Sequence, residues 1–329
     1  MNRAPAEPDG IVNFLKPAGM SSHDAVAFFR RVSGIRRVGH TGTLDPMAVG
    51  VLPLCVGRAT RIAEYLASDR KRYRCEMRLG LATDTQDVWG RVLSEAEDGF
   101  AARLDARLLA ETAARFIGAR MQTPPAYSAV KVRGRKLYEY ARAGESVAAP
   151  ARRIEIFSME IKRVDLNRGL VSFEAECSKG AYMRTLCHDM GRALGCGAAM
   201  SALIRMRSGM FALDGARTVE EIEAALSAGA SLEGFLTPLD APLRGFPAVR
   251  LSAEESRAFV NGARVERAPG GAGVFGHAEV PEDAGALGAD GARVLYRVYG
   301  TAGGREDAFL GVGSAQSGAL CADKVLLRL

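Results

Sequence analysis

The stretch from residue 39 to residue 50, GHTGTLDPMAVG, constrains the fold more than any other part of this sequence. It has neither the 3.6-residue period of an amphipathic helix nor the alternation of a half-buried strand. Its three glycines permit backbone angles that other residues avoid, and Pro46 restricts the residue before it to extended conformations. This composition predicts a loop of defined shape around one carboxylate, Asp45. From these residues alone two roles stay open, because Asp45 can cap a turn or serve as a reacting group.

The composition is that of a globular protein with enough apolar residues for a large core. The chain has 329 residues, of which 48% are hydrophobic and 25% charged, so we expect one large domain and one smaller one. No apolar run reaches the length of a bilayer span, and the start, MNRAPAEPDG, lacks the apolar core of a signal peptide. Six cysteines without CxxC spacing and four histidines without ligand spacing predict no disulfide frame and no metal site. These features favour a cytoplasmic protein.

The positive charge of the chain is concentrated in its larger N-terminal part. The net charge is +6; residues 245–329 hold 9 Lys and Arg against 10 Asp and Glu, whereas residues 1–244 hold 35 against 28. The basic residues cluster at Arg36–Arg37, Arg70–Arg74, Lys131–Lys136 and Arg152–Arg153. Any one such cluster is usually only a solvated face. Four of them indicate a polyanionic partner, because neutralising phosphates is the usual reason to concentrate Lys and Arg.

Periodicity predicts strands and helices that interleave without a regular βαβ order. The predicted elements are a strand at GIVNFLK, a capped helix at SSHDAVAFFRRVSG, a strand at RYRCEMRLGLATDTQD, a helix at LDARLLAETAARFIGA, a hairpin at RRIEIFSMEIKRVDL and GLVSFEAECS, and a helix from about Tyr182. Such an order predicts an α+β fold, in which helices pack on a mixed, largely antiparallel sheet.

A Pro-rich segment, PLDAPLRGFPAV, marks a predicted domain boundary. We expect a disordered lead at 1–9, a large domain at 10–244 and a small β module at 245–329. In the last module, LSAEESRAFVNG predicts one short helix, and RVLYRVYG, DAFLGVGSA and LCADKVLLRL predict strands. The Gly/Ala-rich stretch from Pro269 to Gly291 is too poor in bulky residues to pack and predicts a long flexible loop.

Six motifs of the sequence together resemble one enzyme family. HTGTLDPMAVGVLPLCVGRATR is similar to the active-site signature of the TruB-type tRNA pseudouridine synthases. Five further motifs before and after it match in the family's order: KPAGMSSHDAV, KRYRCEMRLGLATDTQD, TPPAYSAVKVRGRKLYEYARAG, CSKGAYMRTLCHDMGRALG and LGVGSAQSGAL. The resemblance extends from Gly10 to Leu329; its first motif is highly specific and its last is weak alone. It implies a pseudouridine synthase fold followed by a small C-terminal PUA-like β domain. The lead and the Gly/Ala-rich stretch depart from the family pattern.

The resemblance implies a reaction that needs a single carboxylate. Enzymes of this family convert the T-loop uridine of tRNA (position 55) to pseudouridine, which breaks a C–N glycosidic bond and forms a C–C bond to the same ribose. The conversion involves no redox change, so no cofactor is implied. By resemblance the carboxylate is Asp45, an ionised group that acts on the sugar of a flipped-out nucleotide. Attack on C1′ and a glycal route both stay open.

The resemblance assigns two more residues to catalysis. Tyr73 matches the family tyrosine that stacks on the target base and reaches the reacting atoms, since a base removed from its stack needs an aromatic partner. Arg184 matches the arginine that pairs with the catalytic aspartate and keeps it ionised. Without the resemblance, Tyr73 would more often be a core residue of its strand, and Arg184 a surface residue.

Three further residues match family positions that bind substrate, and Lys16 is a fourth candidate. Tyr182 and Leu203 match positions that line the nucleotide pocket, although plain core packing is the ordinary interpretation of Leu203. His40 matches a histidine that contacts RNA and helps to hold the flipped conformation; a lone histidine is more often a hydrogen-bonded loop residue. Lys16 is expected to position the motif loop or to contact a phosphate.

Three functions stay open at this level. The first is isomerisation of uridine in free tRNA, through contacts to the T-arm and elbow, by a monomer that needs no membrane and no protein partner. The second is an RNA chaperone that opens and re-forms the tRNA elbow with the same surface. The third is the catalytic subunit of a guide-RNA-directed particle, whose relatives carry long extra N-terminal and basic C-terminal segments; the short lead and neutral end speak against it. Intact Asp45, Tyr73 and Arg184 favour the first.

Overall fold

The computed structural model describes residues 8–67, 70–266, 294–316 and 318–327. Residues 1–7 of the expected lead and the whole Gly/Ala-rich stretch from Pro269 to Gly291 lie outside the described residues. None of the described helices combines the length and apolar character that crossing a membrane requires.

The elements alternate along the chain as expected for an α+β protein. The strands are β1 (Gly10–Lys16), β2 (Val38–His40), β3 (Val49–Val56), β4 (Lys71–Leu79), β5 (Leu81–Thr83), β6 (Val92–Glu95), β7 (Gly118–Gln122), β8 (Lys131–Val132), β9 (Arg135–Lys136), β10 (Arg152–Asp165), β11 (Leu170–Cys177), β12 (Ala198–Ser208), β13 (Phe211–Ala212), β14 (Leu236–Thr237), β15 (Ala248–Arg250), β16 (Val265–Glu266), β17 (Leu295–Ala302), β18 (Arg305–Gln316) and β19 (Ala319–Val325). The α-helices are α1 (Ser22–Ser33), α2 (Ala63–Leu66), α3 (Ala106–Ala114), α4 (Leu137–Arg142), α5 (Met183–Ala193), α6 (Val219–Ser227) and α7 (Ala253–Val260). Short 3₁₀ helices lie at Gly57–Arg61, Phe100–Arg103, Leu213–Gly215, Leu232–Phe235 and Ala241–Leu243.

A ten-stranded sheet forms the centre of the fold. Its order is β14-β1-β3-β12-β4-β11-β10-β7, with β2 added to β3 and β13 to β12. All of its strand pairs are antiparallel except β3 with β12, which run parallel. The prediction of a mixed, largely antiparallel sheet flanked by helices is therefore confirmed.

The local patterns of the sequence produce the predicted elements. Helix α1 begins at a capping box, in which Ser21 accepts from the backbone N–H of Asp24 and the Asp24 carboxylate accepts from the N–H of Ser21. It ends at Gly34, whose φ of 72° is the left-handed conformation of a helix C-cap. In β4, residues 73, 75, 77 and 79 are buried and residues 72, 74 and 78 are exposed, as their alternation predicts.

A second, five-stranded sheet follows in the order β15-β17-β18-β19-β16. It has a core of its own, which includes the fully buried side chains of Phe259, Val298 and Leu310. A further buried cluster joins it to the first sheet, because Val312 and other residues of the second sheet pack with residues of β1 and β3. The helix and three strands predicted for this region are present, whereas the division of the chain at residues 244 and 245 stays a prediction.

Strand β3 lies unusually close to β12, directly after the loop that carries Asp45. In the parallel pairing Gly50 is opposite Arg205, and Arg205 is in turn opposite Tyr73 on β4. Gly50 has a φ of 115°, and a Cβ built there would lie 2.3 Å from the carbonyl oxygen of Arg205. Only glycine meets both the positive φ and the close backbone approach, so this glycine fixes where the loop returns to the sheet.

We expect Gly50→Ala to lower the free energy of unfolding by about 3 kcal/mol or more, since strain and a backbone clash combine. Gly34→Ala is the matched control: Gly34 also has a positive φ, but a Cβ there would meet open space, so its loss should be about 1 kcal/mol. Urea unfolding of both variants measures the difference. Equal losses would show that the contact between β3 and β12 does not require glycine.

Candidate active site

The loop between β2 and β3 presents Asp45 and is fastened to the start of α1. The hydroxyl of Ser22 donates to the carbonyl of Leu44 at 3.1 Å and accepts from its N–H at 2.8 Å. The N–H of Gly19 donates to the carbonyl of Pro46 at 2.8 Å, and the N–H of residue 48 donates to the carbonyl of Asp45 at 3.0 Å. The loop therefore has a defined shape, as its glycines and proline predict.

Lys16 holds the same loop through hydrogen bonds from its side chain. Its side chain is fully buried, and its amino group donates to the carbonyls of Pro17 at 2.8 Å, Met20 at 2.6 Å and Pro46 at 3.2 Å. Burial lowers the pKa of Lys16 to about 8, although Asp45 acts in the opposite direction. With its three donors directed at carbonyls, the amino group positions the loop that carries Asp45.

Arg184 at the start of α5 forms an ion pair with Asp45. Its Nε lies 2.8 Å from Oδ2 of Asp45, and Nη2 donates to Oδ1 at 3.1 Å. The guanidinium also donates to the carbonyls of Tyr127 at 2.9 Å and Thr85 at 3.2 Å. The Arg184 side chain is 5% exposed and that of Asp45 33% exposed, so a buried cation orients a carboxylate that solvent still reaches.

The protonation of Asp45 depends on opposing neighbours. Burial raises the pKa of the Asp45 carboxyl, Arg184 acts against this rise, and Asp87 adds to it. The Oδ2 of Asp87 lies 4.0 Å from Nη1 of Arg184, so both carboxylates share one guanidinium. Arg184 thus favours the ionised form of Asp45.

A cavity of about 240 Å³ opens at this ion pair. Its lining residues are Asp45, Pro46, Met47, Thr85, Asp87, Trp89, Tyr127 and Arg184. The structure therefore brings the predicted Asp45 and Arg184 together at one cavity, whereas Tyr73, Tyr182, Leu203, His40 and Lys16 do not line it. Over the described residues, no group of three or more His, Cys, Asp or Glu side chains is arranged to hold a metal ion.

Tyr73 is buried in the sheet next to an arginine, and Asp45 is among the charged groups that act on its hydroxyl. Its side chain is 7% exposed, and burial raises the pKa of its hydroxyl, while the guanidinium of Arg205 offsets part of the rise. Arg205 is 1% exposed and donates to the carbonyl of Val51 at 2.7 Å and of Gly42 at 3.1 Å. One guanidinium therefore contacts the Asp45 loop on both sides and lies beside Tyr73.

Tyr182 lies at the start of α5, and Leu203 lies on β12 of the central sheet. Tyr182 is the N-cap residue of α5; its N–H donates to the side chain of Gln122 at 2.8 Å, and its carbonyl accepts from the same amide at 3.1 Å. Burial raises the pKa of its hydroxyl. Leu203 is 8% exposed on β12, opposite Cys75 of β4, and packs in the main core.

His40 ends β2 and meets His23 edge to face, with the ring centroids 5.7 Å apart. Burial lowers the pKa of His40 to about 4, and the charges of His23 and Arg205 act in the same direction. His40 is therefore uncharged at neutral pH, which is compatible with a contact to RNA and not with attraction of a phosphate.

The basic cluster Arg70–Arg74, at the start of β4, is partly neutralised within the fold. Arg72 and Arg74 both pair with the buried Glu174, at 2.5 Å and 2.7 Å, and Arg70 lies 3.8 Å from Glu176. The hydrogen bond from Arg74 is the largest cause of the lowered pKa of Glu174. The attraction of this cluster for phosphate is therefore smaller than a count of its arginines suggests.

Sequence reasoning missed Asp87 and Arg205. Asp87 follows β5 in the run TDTQD, where threonines and aspartates favour hydrogen-bonded turns, and this could have marked a fixed loop near the site. Arg205 follows Leu203 by two positions on a strand, so the alternation places a charged residue on the buried face. A charge at a buried position of a strand is itself a signal of function.

Comparisons with known proteins agree with the motifs. Residues 30–183 match the sequence model of the TruB family pseudouridylate synthase N-terminal domain, and residues 184–244 match that of the tRNA pseudouridylate synthase B C-terminal domain. The chain is 42% identical over 257 residues to tRNA pseudouridine synthase B of Alkaliphilus oremlandii, covering 78% of this chain and 83% of the relative. It is 39% identical over 317 residues to that of Cupriavidus metallidurans, covering 96% and 94%.

Solved structures share the fold over almost the whole chain. A chain from the crystal structure of a Cbf5-Nop10-Gar1 complex superposes with a TM-score of 0.67 at 22% identity, covering 97% of this chain and 85% of that chain. A chain from an archaeal box H/ACA sRNP Nop10-Cbf5 complex gives 0.65 at 21%, covering 97% and 86%. At this identity the likeness shows the fold alone, and it extends to both sheets.

Titration should show the two opposing influences on Asp45. We expect its pKa to lie above the ordinary 3.8, to rise further in Arg184→Met and to fall in Asp87→Asn, because these variants remove a cation and an anion respectively. NMR of ¹³C-labelled aspartate carboxyls measures this. Asp24, whose pKa is lowered mainly by its hydrogen bond from Ser21, is an internal reference that should titrate below 3.8. A higher pKa of Asp45 in Asp87→Asn would contradict this account.

Arg205 should stabilise the loop far more than its neighbour on the strand. Arg205→Met leaves two backbone carbonyls without a donor, so we expect a loss of about 3 kcal/mol in the free energy of unfolding. Arg207→Met is the control: Arg207 is 44% exposed and pairs with Glu176 at 3.1 Å, so its loss should be below about 1 kcal/mol. Chemical denaturation compares them, and similar losses would exclude a special role for Arg205.

Proposed function

The chain belongs to the TruB family of tRNA pseudouridine synthases, and we propose that it isomerises the T-loop uridine of tRNA (position 55) with Asp45 as the group that acts on the ribose. The predicted pseudouridine synthase fold is confirmed, and the second sheet fits a PUA-like C-terminal domain. The observation that carries the proposal for Asp45 is its two-point contact with Arg184 in the lining of the cavity.

The chemistry needs one ionised oxygen at the sugar. The bond from C1′ to N1 of uracil breaks, the detached base turns, C5 bonds to C1′, and the proton that C5 loses is balanced by the one that N1 gains. Asp45 acts either by bonding to C1′ or by removing a ribose proton to give a glycal, and both routes use the same carboxylate. Arg184 keeps that carboxylate ionised and directs it into the cavity.

The remaining residues hold the nucleotide and the loop. We assign Tyr73 to the target base, with Arg205 beside its hydroxyl fixing the ring. Tyr182 and Leu203 support the wall of the pocket. His40, uncharged at neutral pH, contacts the RNA as a hydrogen-bonding group.

The partner of the site is tRNA, bound through its T-arm and elbow. The basic excess of residues 1–244 supplies the electrostatic part of binding, and residues 245–329, with 9 basic against 10 acidic side chains, supply little of it. The reaction itself consumes no cofactor, and we propose a cytoplasmic monomer that needs no protein partner. The relatives at 39% and 42% identity are tRNA pseudouridine synthases, which favours free tRNA over a guide-RNA particle.

The proposal is tested by incubating purified protein with an unmodified tRNA transcript and mapping pseudouridine at single-nucleotide resolution. Pseudouridine at position 55 alone is the expected result. Asp45→Asn should lower the rate more than about 1,000-fold, because it keeps the shape and removes the charge, while tRNA binding stays within a few-fold since phosphates supply most of that energy.

Asp98→Asn is the matched control, because Asp98 is exposed and does not line the cavity. It should modify tRNA at the rate of the unaltered protein. Substantial pseudouridine formation by Asp45→Asn would exclude the role of Asp45, and modification at another tRNA position would exclude the proposed substrate.

A further inference from the structure

Trp89 lies at the rim of the cavity and was not singled out by any motif. It is the only tryptophan in the sequence, and it lines the same cavity as Asp45 and Arg184. It is also 52% exposed. A large aromatic side chain that borders a polar cavity and leaves half of its surface in water is unusual for structural packing, where tryptophan is highly buried on average.

The turn that carries Trp89 is held rigidly. The backbone N–H of Trp89 donates to the carboxylate of Asp87 at 3.2 Å, and the hydroxyl of Thr85 donates to the same carboxylate oxygen at 2.7 Å. The N–H of Val88 donates to the carbonyl of Met200 on β12 at 2.9 Å, which ties the turn to the central sheet. The exposed ring is therefore presented on a fixed backbone.

The turn also packs closely on itself. A Cβ at Gly90 would lie 2.1 Å from the hydroxyl oxygen of Thr85, so the chain after Trp89 returns directly against the chain before it. Asp87, which organises the turn, is the carboxylate 4.0 Å from the guanidinium of Arg184. The position of the Trp89 backbone is thus linked through one side chain to the arginine that orients Asp45.

We propose that Trp89 is a stacking platform for the nucleobase next to the target uridine in the RNA chain. This inference rests on the proposed function and deepens it, because it adds a second base-binding position to the site. Base stacking on an aromatic ring tolerates any base, so the contact contributes affinity and placement and does not select a sequence.

The neighbour of the target is the base that fits this position. Asp45 must face the ribose of the target nucleotide, so the target occupies the cavity. Trp89 lines that cavity and leaves about half of its surface in water, so its ring is accessible to the nucleotide that adjoins the flipped one in the chain. Removing one base from a stack leaves the adjacent base with an uncovered face, and an exposed indole replaces the lost partner.

The single tryptophan provides a direct measurement. Excitation at a wavelength that tyrosine does not absorb reports on Trp89 alone in the full-length protein. We expect an unmodified T-arm stem-loop to quench this fluorescence on binding. An abasic site at one neighbour of the target should abolish the quenching, and an abasic site elsewhere in the stem-loop should leave it intact.

Variants then measure the contribution to binding. Trp89→Leu should raise the dissociation constant for the stem-loop by about 5- to 150-fold, the range for loss of one stacked base. Trp89→Phe should recover most of that loss. Leu93→Ala is the matched control: Leu93 is 60% exposed on β6 but does not line the cavity, so it should bind as the unaltered protein does.

A double-mutant cycle identifies the base. The effect of Trp89→Leu should vanish on the stem-loop with the abasic neighbour, since both changes remove the same contact. Absence of quenching, or equal binding by Trp89→Leu and the unaltered protein, overturns the proposal. Coupling of Trp89 to the target base overturns the assignment to the neighbour.

The same stem-loop separates this inference from the proposed function. If quenching and coupling occur and the unaltered protein makes no pseudouridine, the stacking position stands and the proposed activity fails. If pseudouridine forms and Trp89→Leu binds as tightly as the unaltered protein, the activity stands and the stacking position is wrong.

Discussion

The contact between Asp45 and Arg184 is the interaction around which this molecule is organised. A carboxylate in a partly desolvated cavity tends to take up a proton, and a buried guanidinium 2.8 Å away opposes that tendency. The two groups are 139 positions apart in sequence, one on the loop after β2 and the other at the start of α5. Most of the central sheet therefore serves to bring one loop and one helix end together within hydrogen-bonding distance.

Two buried cations hold the loop that carries Asp45 by donating hydrogen bonds to backbone carbonyls. Among the described residues, neither Lys16 nor Arg205 has a carboxylate oxygen within 4.0 Å, and together they contact carbonyls at residues 17, 20, 42, 46 and 51. Burying a charge without an opposite charge is costly. That cost is offset by hydrogen bonds that define the loop, and the charge of Lys16 also acts to lower the pKa of Asp45.

The sequence predicted the elements whose signals are local, and the motif resemblance predicted the pair at the cavity. The capping box of α1 and the alternation of β4 each depend on residues a few positions apart, so they were correctly predicted. Strand β12 was not identified, although it carries Leu203 and Arg205, because its pairing with β3 and β4 is long-range. Asp87 and Trp89 were missed for a related reason: the run TDTQD indicates a turn, but only the fold places that turn at the cavity beside Arg184.

The cluster in which Val312 packs against Ile11 and Val51 makes the second sheet part of the support of the first. Val51 belongs to the strand that leaves the Asp45 loop, and its carbonyl accepts from Arg205. Loosening of the C-terminal sheet would therefore expose the side of β3 that carries Val51 and weaken the support of the loop that carries Asp45. The two modules are coupled in stability, so the chain should melt in one cooperative transition and not as two independent units.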